Sequence, residues 1–205
     1  MRIIGITGGI AMGKTTVSNY LATAHHLPVL DADLIAREAV EPGSPILAQI
    51  IDRYGSHLLR LDGSLDRAKL GAIVFADPAE RTWLEQQIHP FVRNVLQTEC
   101  DRLAQSHSTI VLVIPLLFEA NMTDLVTEIW VISCPESQQI QRLMQREKLT
   151  LEQAQARIRS QMSIDQKRDR ADVILDNSTT PEVLIQQVDR ALVEIDRPRP
   201  LDCSR

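Results

Sequence analysis

A segment near the start of the chain has the residue types and spacing of a loop that binds nucleotide phosphates. It reads TGGIAMGKTT from Thr7 to Thr16, and Gly8 to Thr15 match the pattern G-x-x-x-x-G-K-[ST]. The glycines let backbone N–H groups converge on phosphate oxygens. The Lys14 ammonium can reach the β- and γ-phosphates, and the Thr15 hydroxyl can ligate Mg²⁺. The segment therefore predicts a site for a nucleoside triphosphate.

Such a loop needs a strand before it and a helix after it, and the sequence predicts both. Residues 2–7 form a short apolar run that ends at a glycine pair, as a buried strand would. From Lys14 onward, Val17, Tyr20 and Leu21 recur at helical spacing. A chance match to the pattern would not require this arrangement, so the context supports phosphate binding.

The remaining elements predict a parallel sheet. Strands are expected at residues 29–31, 109–114, 128–133 and 173–176, and helical patterns follow the first, third and fourth of these. Strands that alternate with helices indicate an α/β fold of the phosphate-loop NTPase type, with five parallel strands covered by helices on both sides. The run 109–114 is β-branched and uncharged, so it is expected to be a central strand that is covered on both faces.

Helix signals divide the rest of the chain. Asp77 followed by Pro78 predicts a helix start, and Pro90 is expected to kink or divide that helix. Thr150 and Gln153 predict a capping box. We expect a single phosphate-loop domain over 1–205, with a core at about 1–45, 106–134 and 170–196, a helical insertion at about 46–105, a further helical region at about 135–169 and a loose tail at 197–205.

Composition restricts the classes of partner. The chain has 205 residues, 44% hydrophobic residues and a net charge of −5, which argues against general nucleic-acid binding. Cys100, Cys134 and Cys203 show no C-x-x-C spacing and are expected to be reduced thiols. No signal-peptide pattern or apolar run of membrane-spanning length occurs, so a cytoplasmic protein without a membrane partner is expected.

Three classes of phosphate-loop protein can be compared by their further motifs. A GTPase would carry N-K-x-D or T-K-x-D, and neither string occurs. A motor or regulatory ATPase usually has an apolar strand that ends in Asp-Glu, whereas residues 110–114 run into Pro115. A small-molecule kinase is therefore favoured. A kinase for another nucleoside or nucleotide and a nucleotide-binding regulatory ATPase remain open at this point.

A kinase also needs a carboxylate near the acceptor hydroxyl and cations near the phosphates. Asp33 follows the second predicted strand, at the edge where ligands of parallel sheets gather, although it could equally be a helix cap. Arg142 and Arg146 share one helix face after the fourth strand, where they could belong to a lid or simply face solvent.

Several segments, in this order, resemble the dephospho-coenzyme A kinase family over nearly the whole chain. The shared segments are Ile6–Ile10, Gly13–Thr15, Asp31–Arg37, Val40–Gly43, Ile88–Pro90, Pro115–Glu119, Gln141–Arg146 and Asp176–Asn177. The resemblance implies transfer of the ATP γ-phosphate to the ribose 3′-hydroxyl of dephospho-coenzyme A, with Mg²⁺.

The resemblance also implies roles for individual residues. The catalytic set is Asp33, Lys14 and Arg142. The ATP-binding set is Gly8, Gly9, Ala11, Met12, Gly13, Lys14, Thr15, Thr16, Arg142, Arg146 and Asn177, with Thr15 as the Mg²⁺ ligand. The acceptor-binding set is Thr7, Asp33, His89, Pro115, Leu116, Leu117 and Glu119. The helical insertion at about 46–105 is implied to be the acceptor-binding region of the kinase domain, and the helical region at about 135–169 its lid. Whether Glu119 contacts the acceptor or only supports its loop stays open.

One departure from the family pattern lies in the phosphate loop. The family usually has Gly-Ser where this chain has Ala11-Met12. Ala11 is expected to fit only with a negative φ, because it lacks the freedom of glycine. Met12 removes a hydroxyl, while the backbone N–H groups remain. Altered ATP affinity rather than lost activity is expected.

Overall fold

Five short strands form the central sheet. The computed structural model of the chain describes residues 1–194, and there the strands are β1 (Arg2–Gly8), β2 (Val29–Asp31), β3 (Thr109–Val113), β4 (Glu128–Ser133) and β5 (Val173–Asp176). Their order is β2-β3-β1-β4-β5. The pairings of β1 with β3, β1 with β4 and β4 with β5 are parallel, and the predicted parallel α/β fold is confirmed.

Within the described range, α-helices connect all consecutive strands except β3 and β4, between which lies a short 3₁₀ turn at Thr123–Leu125. The α-helices are α1 (Lys14–Ala24), α2 (Ala32–Glu38), α3 (Pro45–Tyr54), α4 (Arg67–Ala76), α5 (Pro78–Leu103), α6 (Glu136–Glu147), α7 (Leu151–Arg159), α8 (Ile164–Arg168) and α9 (Pro181–Glu194). Both predicted caps are confirmed. The Asp77 side chain accepts a hydrogen bond from the Ala79 N–H, and Thr150 and Gln153 form a reciprocal capping box.

Two expectations about these elements were wrong in part. β1, not β3, is the middle strand, but β3 is an interior strand between β2 and β1, and its consecutive residues Ile110, Val111 and Leu112 are fully buried, as a strand covered on both faces requires. Helix α5 is not divided at Pro90 but continues through it. A proline inside a helix costs about 3 kcal/mol. The burial of Val92, Leu96 and Cys100 on the same helix offsets this cost.

Aliphatic side chains build the core around the sheet, as the aromatic content of 3% requires. Ile4 and Ile6 of β1 are fully buried with Trp130 and Ile132 of β4. Helices α1 and α9 contribute further apolar side chains, namely Val17, Leu21, Leu184 and Val188. This core fixes the carboxyl end of β1, from which the phosphate loop starts.

The chain divides into two compact units. One consists of residues 1–30 with residues from 106 onward, and the other of residues 31–105. The second unit is helical and has its own core, formed by Ala39, Val40, Leu47, Ile50, Leu58, Leu65 and Leu70. The functional division expected from the sequence, with an acceptor-binding region from residue 46, stays a prediction.

Two remaining expectations concern the tail and membranes. The predicted tail at 197–205 and Cys203 lie outside the described residues. No helix within residues 1–194 combines the length and the apolar character that a bilayer span requires.

Candidate functional site

The phosphate loop connects β1 to α1, and its glycines are required by close packing. A Cβ atom at Gly8 would lie 2.4 Å from the Ile132 carbonyl oxygen. At Gly13, where φ is 102°, a Cβ atom would lie 2.2 Å from Asn177 Nδ2. Because both neighbours are held in place by β4 and the end of β5, only glycine fits at these two positions.

Ala11 has a φ of 59°, so the expectation of a negative φ was wrong. The left-handed conformation costs an alanine about 1 kcal/mol or more relative to the right-handed one. The loop tolerates this cost because its neighbours are anchored. Met12 is 1% exposed and packs into the core of the sheet unit. The methionine therefore contributes apolar contacts beneath the loop.

Lys14 and the first turn of α1 form the electropositive side of the loop. The Lys14 ammonium donates hydrogen bonds to the carbonyl oxygens of Gly8 (3.0 Å) and Gly9 (2.9 Å). Gly13 is the N-cap residue of α1, and no side chain caps this end of the helix. The Thr15 and Thr16 side chains are exposed. A helix N-terminus beside an ammonium group is suited to bind phosphate oxygens.

Side chains from distant elements hold the loop in shape. The Gln139 side chain of α6 donates from Nε2 to the Ile10 carbonyl oxygen at 2.9 Å. The Ile10 N–H donates to Gln161 Oε1, just after α7, at 3.0 Å. Asn177 donates from Nδ2 to the Met12 carbonyl oxygen at 2.9 Å. The backbone is therefore held at its tip and at its return into α1.

One of the two expected lid arginines, Arg142, contacts Asn177, whose side chain holds the phosphate loop. The Arg142 guanidinium donates to the Asn177 carbonyl oxygen at 3.0 Å and to Gln138 Oε1 at 3.2 Å. Arg146 instead pairs with Glu147 at 2.6 Å, and its side chain is 55% exposed. Arg157 also pairs with Glu147. The two arginines thus share a helix face but have different partners.

The Pro115–Glu119 loop follows β3 and is fastened to the strand that carries the phosphate loop. The Thr7 hydroxyl donates to the Pro115 carbonyl oxygen at 3.1 Å, and Thr7 itself is fully buried. Leu117 is fully buried as well, so its side chain packs inside the fold. Glu119 accepts a hydrogen bond from the Met162 N–H at 3.0 Å and forms an ion pair with Lys167 at 2.9 Å.

A cavity of about 440 Å³ lies beside the phosphate loop in the same unit. Gly9, Met12 and Gln139 line one part of it, and Arg159 and Gln161 line another. Burial raises the pKa of the Cys134 thiol near this end of the sheet, while the Arg142 charge opposes the rise. The Cys134 thiol is therefore protonated at neutral pH, and Cys134 contributes to the packing of the core.

Asp33 and His89 belong to the second compact unit. Asp33 is exposed in the first turn of α2, and its N–H donates to Asp31 Oδ1 at 2.8 Å. Asp31, not Asp33, is thus the residue that caps α2. His89 is half-buried on α5, and burial lowers its pKa while the nearby Glu85 opposes this shift. The His89 ring is therefore neutral at pH 7.

Reasoning from the sequence missed three residues that hold this site together. Gln139 and Lys167 are buried polar residues on α6 and α8, and no motif distinguishes them. Gln161 lies just after α7 and is half-buried. Their partners are far away in the chain, so a local sequence pattern does not identify them, and for Gln139 and Lys167 the burial of a polar side chain is the signal in the structure.

Comparisons with known proteins agree with this arrangement. The family model for dephospho-CoA kinase matches residues 2–182. The dephospho-CoA kinase of Trichormus variabilis is 62% identical over 93% of this chain and 96% of the relative. A dephospho-CoA kinase structure from Campylobacter jejuni is 30% identical, with a TM-score of 0.72 over 95% of this chain and 98% of that one.

A solved structure from Thermus thermophilus is also similar, with 34% identity and a TM-score of 0.79 over 95% of this chain and 97% of that one. These similarities extend over nearly the whole length of each protein rather than over the phosphate loop alone. The chain belongs to the dephospho-CoA kinase family.

Proposed function

We propose that this protein transfers the γ-phosphate of ATP to the ribose 3′-hydroxyl of dephospho-coenzyme A, yielding coenzyme A and ADP, in the last step of coenzyme A synthesis. The observation that carries the proposal is the family match over residues 2–182. A kinase for another nucleoside or a regulatory ATPase would not be expected to match this family across the whole chain.

ATP would bind at the phosphate loop and at the Arg142–Asn177 contact. The proposed ATP-binding residues are Gly8, Gly9, Ala11, Met12, Gly13, Lys14, Thr15, Thr16, Arg142, Arg146 and Asn177. The Lys14 ammonium would exchange its carbonyl partners for β- and γ-phosphate oxygens, which are stronger acceptors. The Thr15 hydroxyl suits Mg²⁺, which prefers oxygen ligands and would neutralise phosphate charge.

Asp33 would orient the acceptor hydroxyl toward the γ-phosphate. A loose phosphoryl-transfer transition state needs orientation of the hydroxyl more than its full deprotonation, so an exposed carboxylate suffices. Lys14 and Arg142 would stabilise the negative charge on the transferred group. These three residues form the proposed catalytic set.

Dephospho-coenzyme A would be held by a set of residues that the family resemblance implies. The proposed acceptor-binding residues are Thr7, Asp33, His89, Pro115, Leu116, Leu117 and Glu119. The buried Thr7 and Leu117 would act by holding the backbone of their segments. The net charge of −5 supports a small-molecule partner rather than a nucleic acid, and we place the enzyme in the cytoplasm without a membrane partner.

The test is ADP release from Mg-ATP with dephospho-coenzyme A, AMP, adenosine or pantetheine phosphate as acceptor, with the product identified by mass. We expect turnover confined to dephospho-coenzyme A and a product that carries one added phosphate. Turnover with AMP or adenosine instead would favour a general nucleotide kinase. ATP binding without transfer to any acceptor would favour a regulator.

A further inference from the structure

Lys167 on α8 is a lysine that no motif explains, and its side chain is 0% exposed. Burial of an ammonium group is costly unless each of its donors has a partner. The Lys167 Nζ donates to the Pro115 carbonyl oxygen at 2.9 Å and pairs with Glu119 Oε1 at 2.9 Å. One buried cation therefore contacts both ends of the Pro115–Glu119 loop.

Both of these contacts are shared with a second donor. The Pro115 carbonyl oxygen also accepts from the Thr7 hydroxyl, and Glu119 Oε1 also accepts from the Met162 N–H. Thr7 immediately precedes the phosphate loop. The loop between Pro115 and Glu119 is thus tied to β1 at one end and to the segment before α8 at the other.

The same segment also holds the phosphate loop. Gln161 accepts from the Ile10 N–H at 3.0 Å, and the next residue, Met162, donates to Glu119. Residues 161–167 therefore contact the tip of the phosphate loop and the Pro115–Glu119 loop at once. A change in the position of this segment would displace both loops together.

We propose that Lys167 is a positioning residue for phosphoryl transfer, which sets the conformation of the Pro115–Glu119 loop against the phosphate loop so that the acceptor is aligned. The inference rests on the proposed function, because it assigns the loop to acceptor binding. Well-packed apolar residues often stabilise a fold as well as a buried ion pair does. The charge of Lys167 therefore serves to fix the geometry of the Pro115–Glu119 loop rather than to stabilise the fold.

The test is a double-mutant cycle with Lys167→Met, Glu119→Gln and the double variant, beside Arg168→Met as the control. Arg168 is an exposed cation on the same helix. We expect Lys167→Met to raise the KM for dephospho-coenzyme A by about tenfold or more, the order expected for a misplaced binding group. The KM for ATP should change by less than about twofold, since the Gln161 contact is retained.

The double variant separates positioning from folding. It removes both charges, so its urea midpoint should recover toward the wild-type value relative to Lys167→Met. Its KM for the acceptor should stay at least as high as in Lys167→Met, because the Lys167 contacts with Pro115 and Glu119 are both absent. A folded Lys167→Met or double variant with the wild-type KM for the acceptor would overturn the inference.

Hydrogen exchange provides a readout that needs neither activity nor stable variants. In the wild type, the amides of residues 116–122 and Met162 should exchange more slowly than those of Leu61 and Asp62, which lie in an exposed turn. Exchange as fast as in that turn would contradict the positioning role. In Lys167→Met these amides should exchange faster, and in Arg168→Met they should not.

If the wild type fails to phosphorylate dephospho-coenzyme A, the proposed function fails, while exchange still decides whether Lys167 holds the loop.

Discussion

Ala11 illustrates how a single residue can conflict with its backbone. It lies in the left-handed region with a φ of 59°, where glycine meets no steric penalty. We predict that Ala11→Gly raises the free energy of unfolding by about 0.5–1 kcal/mol, because relief of strain exceeds the added freedom of the unfolded chain. Urea unfolding measures this change.

Ala22→Gly is the matched control for Ala11→Gly. Ala22 lies inside α1, where the backbone is helical, so the same substitution should lower the free energy of unfolding by about 0.5–1 kcal/mol. A loss of stability in both variants would mean that Ala11 is not strained. The two signs together therefore test the loop conformation itself.

Asp33 is the residue on which the proposed chemistry depends most. We predict that Asp33→Asn lowers kcat by about 100-fold or more, the range for loss of a group that handles the hydroxyl proton. The dissociation constant for ATP should stay nearly unchanged, because the phosphate loop is intact. Steady-state kinetics and calorimetry measure the two quantities.

Asp31→Asn is the control for Asp33→Asn. Asp31 caps α2 through its side chain, and asparagine caps helices equally well. The Asp31 variant should therefore keep both stability and turnover. Wild-type kcat in Asp33→Asn would show that the Asp33 carboxylate is not needed for phosphoryl transfer.

At the scale of elements, α6 carries two arginines with different surroundings. Arg142 contacts the backbone of Asn177, whereas Arg146 is largely exposed and pairs with Glu147. We predict that Arg142→Gln weakens ATP binding by about tenfold or more, as expected when a charged hydrogen bond is lost. Arg146→Gln should have a smaller effect. Titration with ATP measures both, and equal effects would contradict the different roles.

Helices α3 and α5 are joined by a charge contact that depends on pH. Arg53 donates two hydrogen bonds to the Glu80 carboxylate, and Tyr54 donates a third. The Arg53 hydrogen bond is the main reason that the pKa of Glu80 falls from 4.5 to about 2. Because the folded-state pKa is depressed, this stabilisation is present above pH 4.5 and is lost as pH falls toward 2.

We predict that Glu80→Gln lowers the urea midpoint near neutral pH, because it removes the ionised acceptor. The difference from the wild type should shrink as pH falls from 4.5 toward 2, where the wild-type Glu80 becomes protonated. Urea unfolding of both proteins across this range measures the difference. A gap that is independent of pH would show that the charge of Glu80 does not stabilise the second unit.

At the scale of the whole molecule, thiol reactivity reports on the integrity of the core. Burial raises the pKa of Cys100 to about 11, and it also raises the pKa of Cys134. We predict that the folded Cys203→Ser variant reacts slowly with a disulfide reagent at pH 7 to 8, because both remaining thiols are buried and protonated. Unfolding in urea should release two reactive thiols, and rapid reaction before unfolding would contradict the burial.

Local patterns in the sequence determined the strands, most helix starts and the place of the phosphate loop. Alternating or continuous apolar runs, caps such as Asp77 and Thr150, and the glycine and lysine spacing of the loop depend on neighbours within a few residues. The order of the family segments also indicated the family, which the comparisons confirmed. The roles of Asp33, Arg142 and His89 stay predictions.

Only the tertiary structure decided the features that depend on distant partners. Gln139 reaches Ile10 across 129 positions of the sequence, and Gln161 reaches it across 151. Lys167 reaches Pro115 across 52 positions. Packing of the whole fold also sets the left-handed φ of Ala11 and the continuity of α5 through Pro90. A sequence pattern records which residues are polar or apolar, but only packing determines which of them meet.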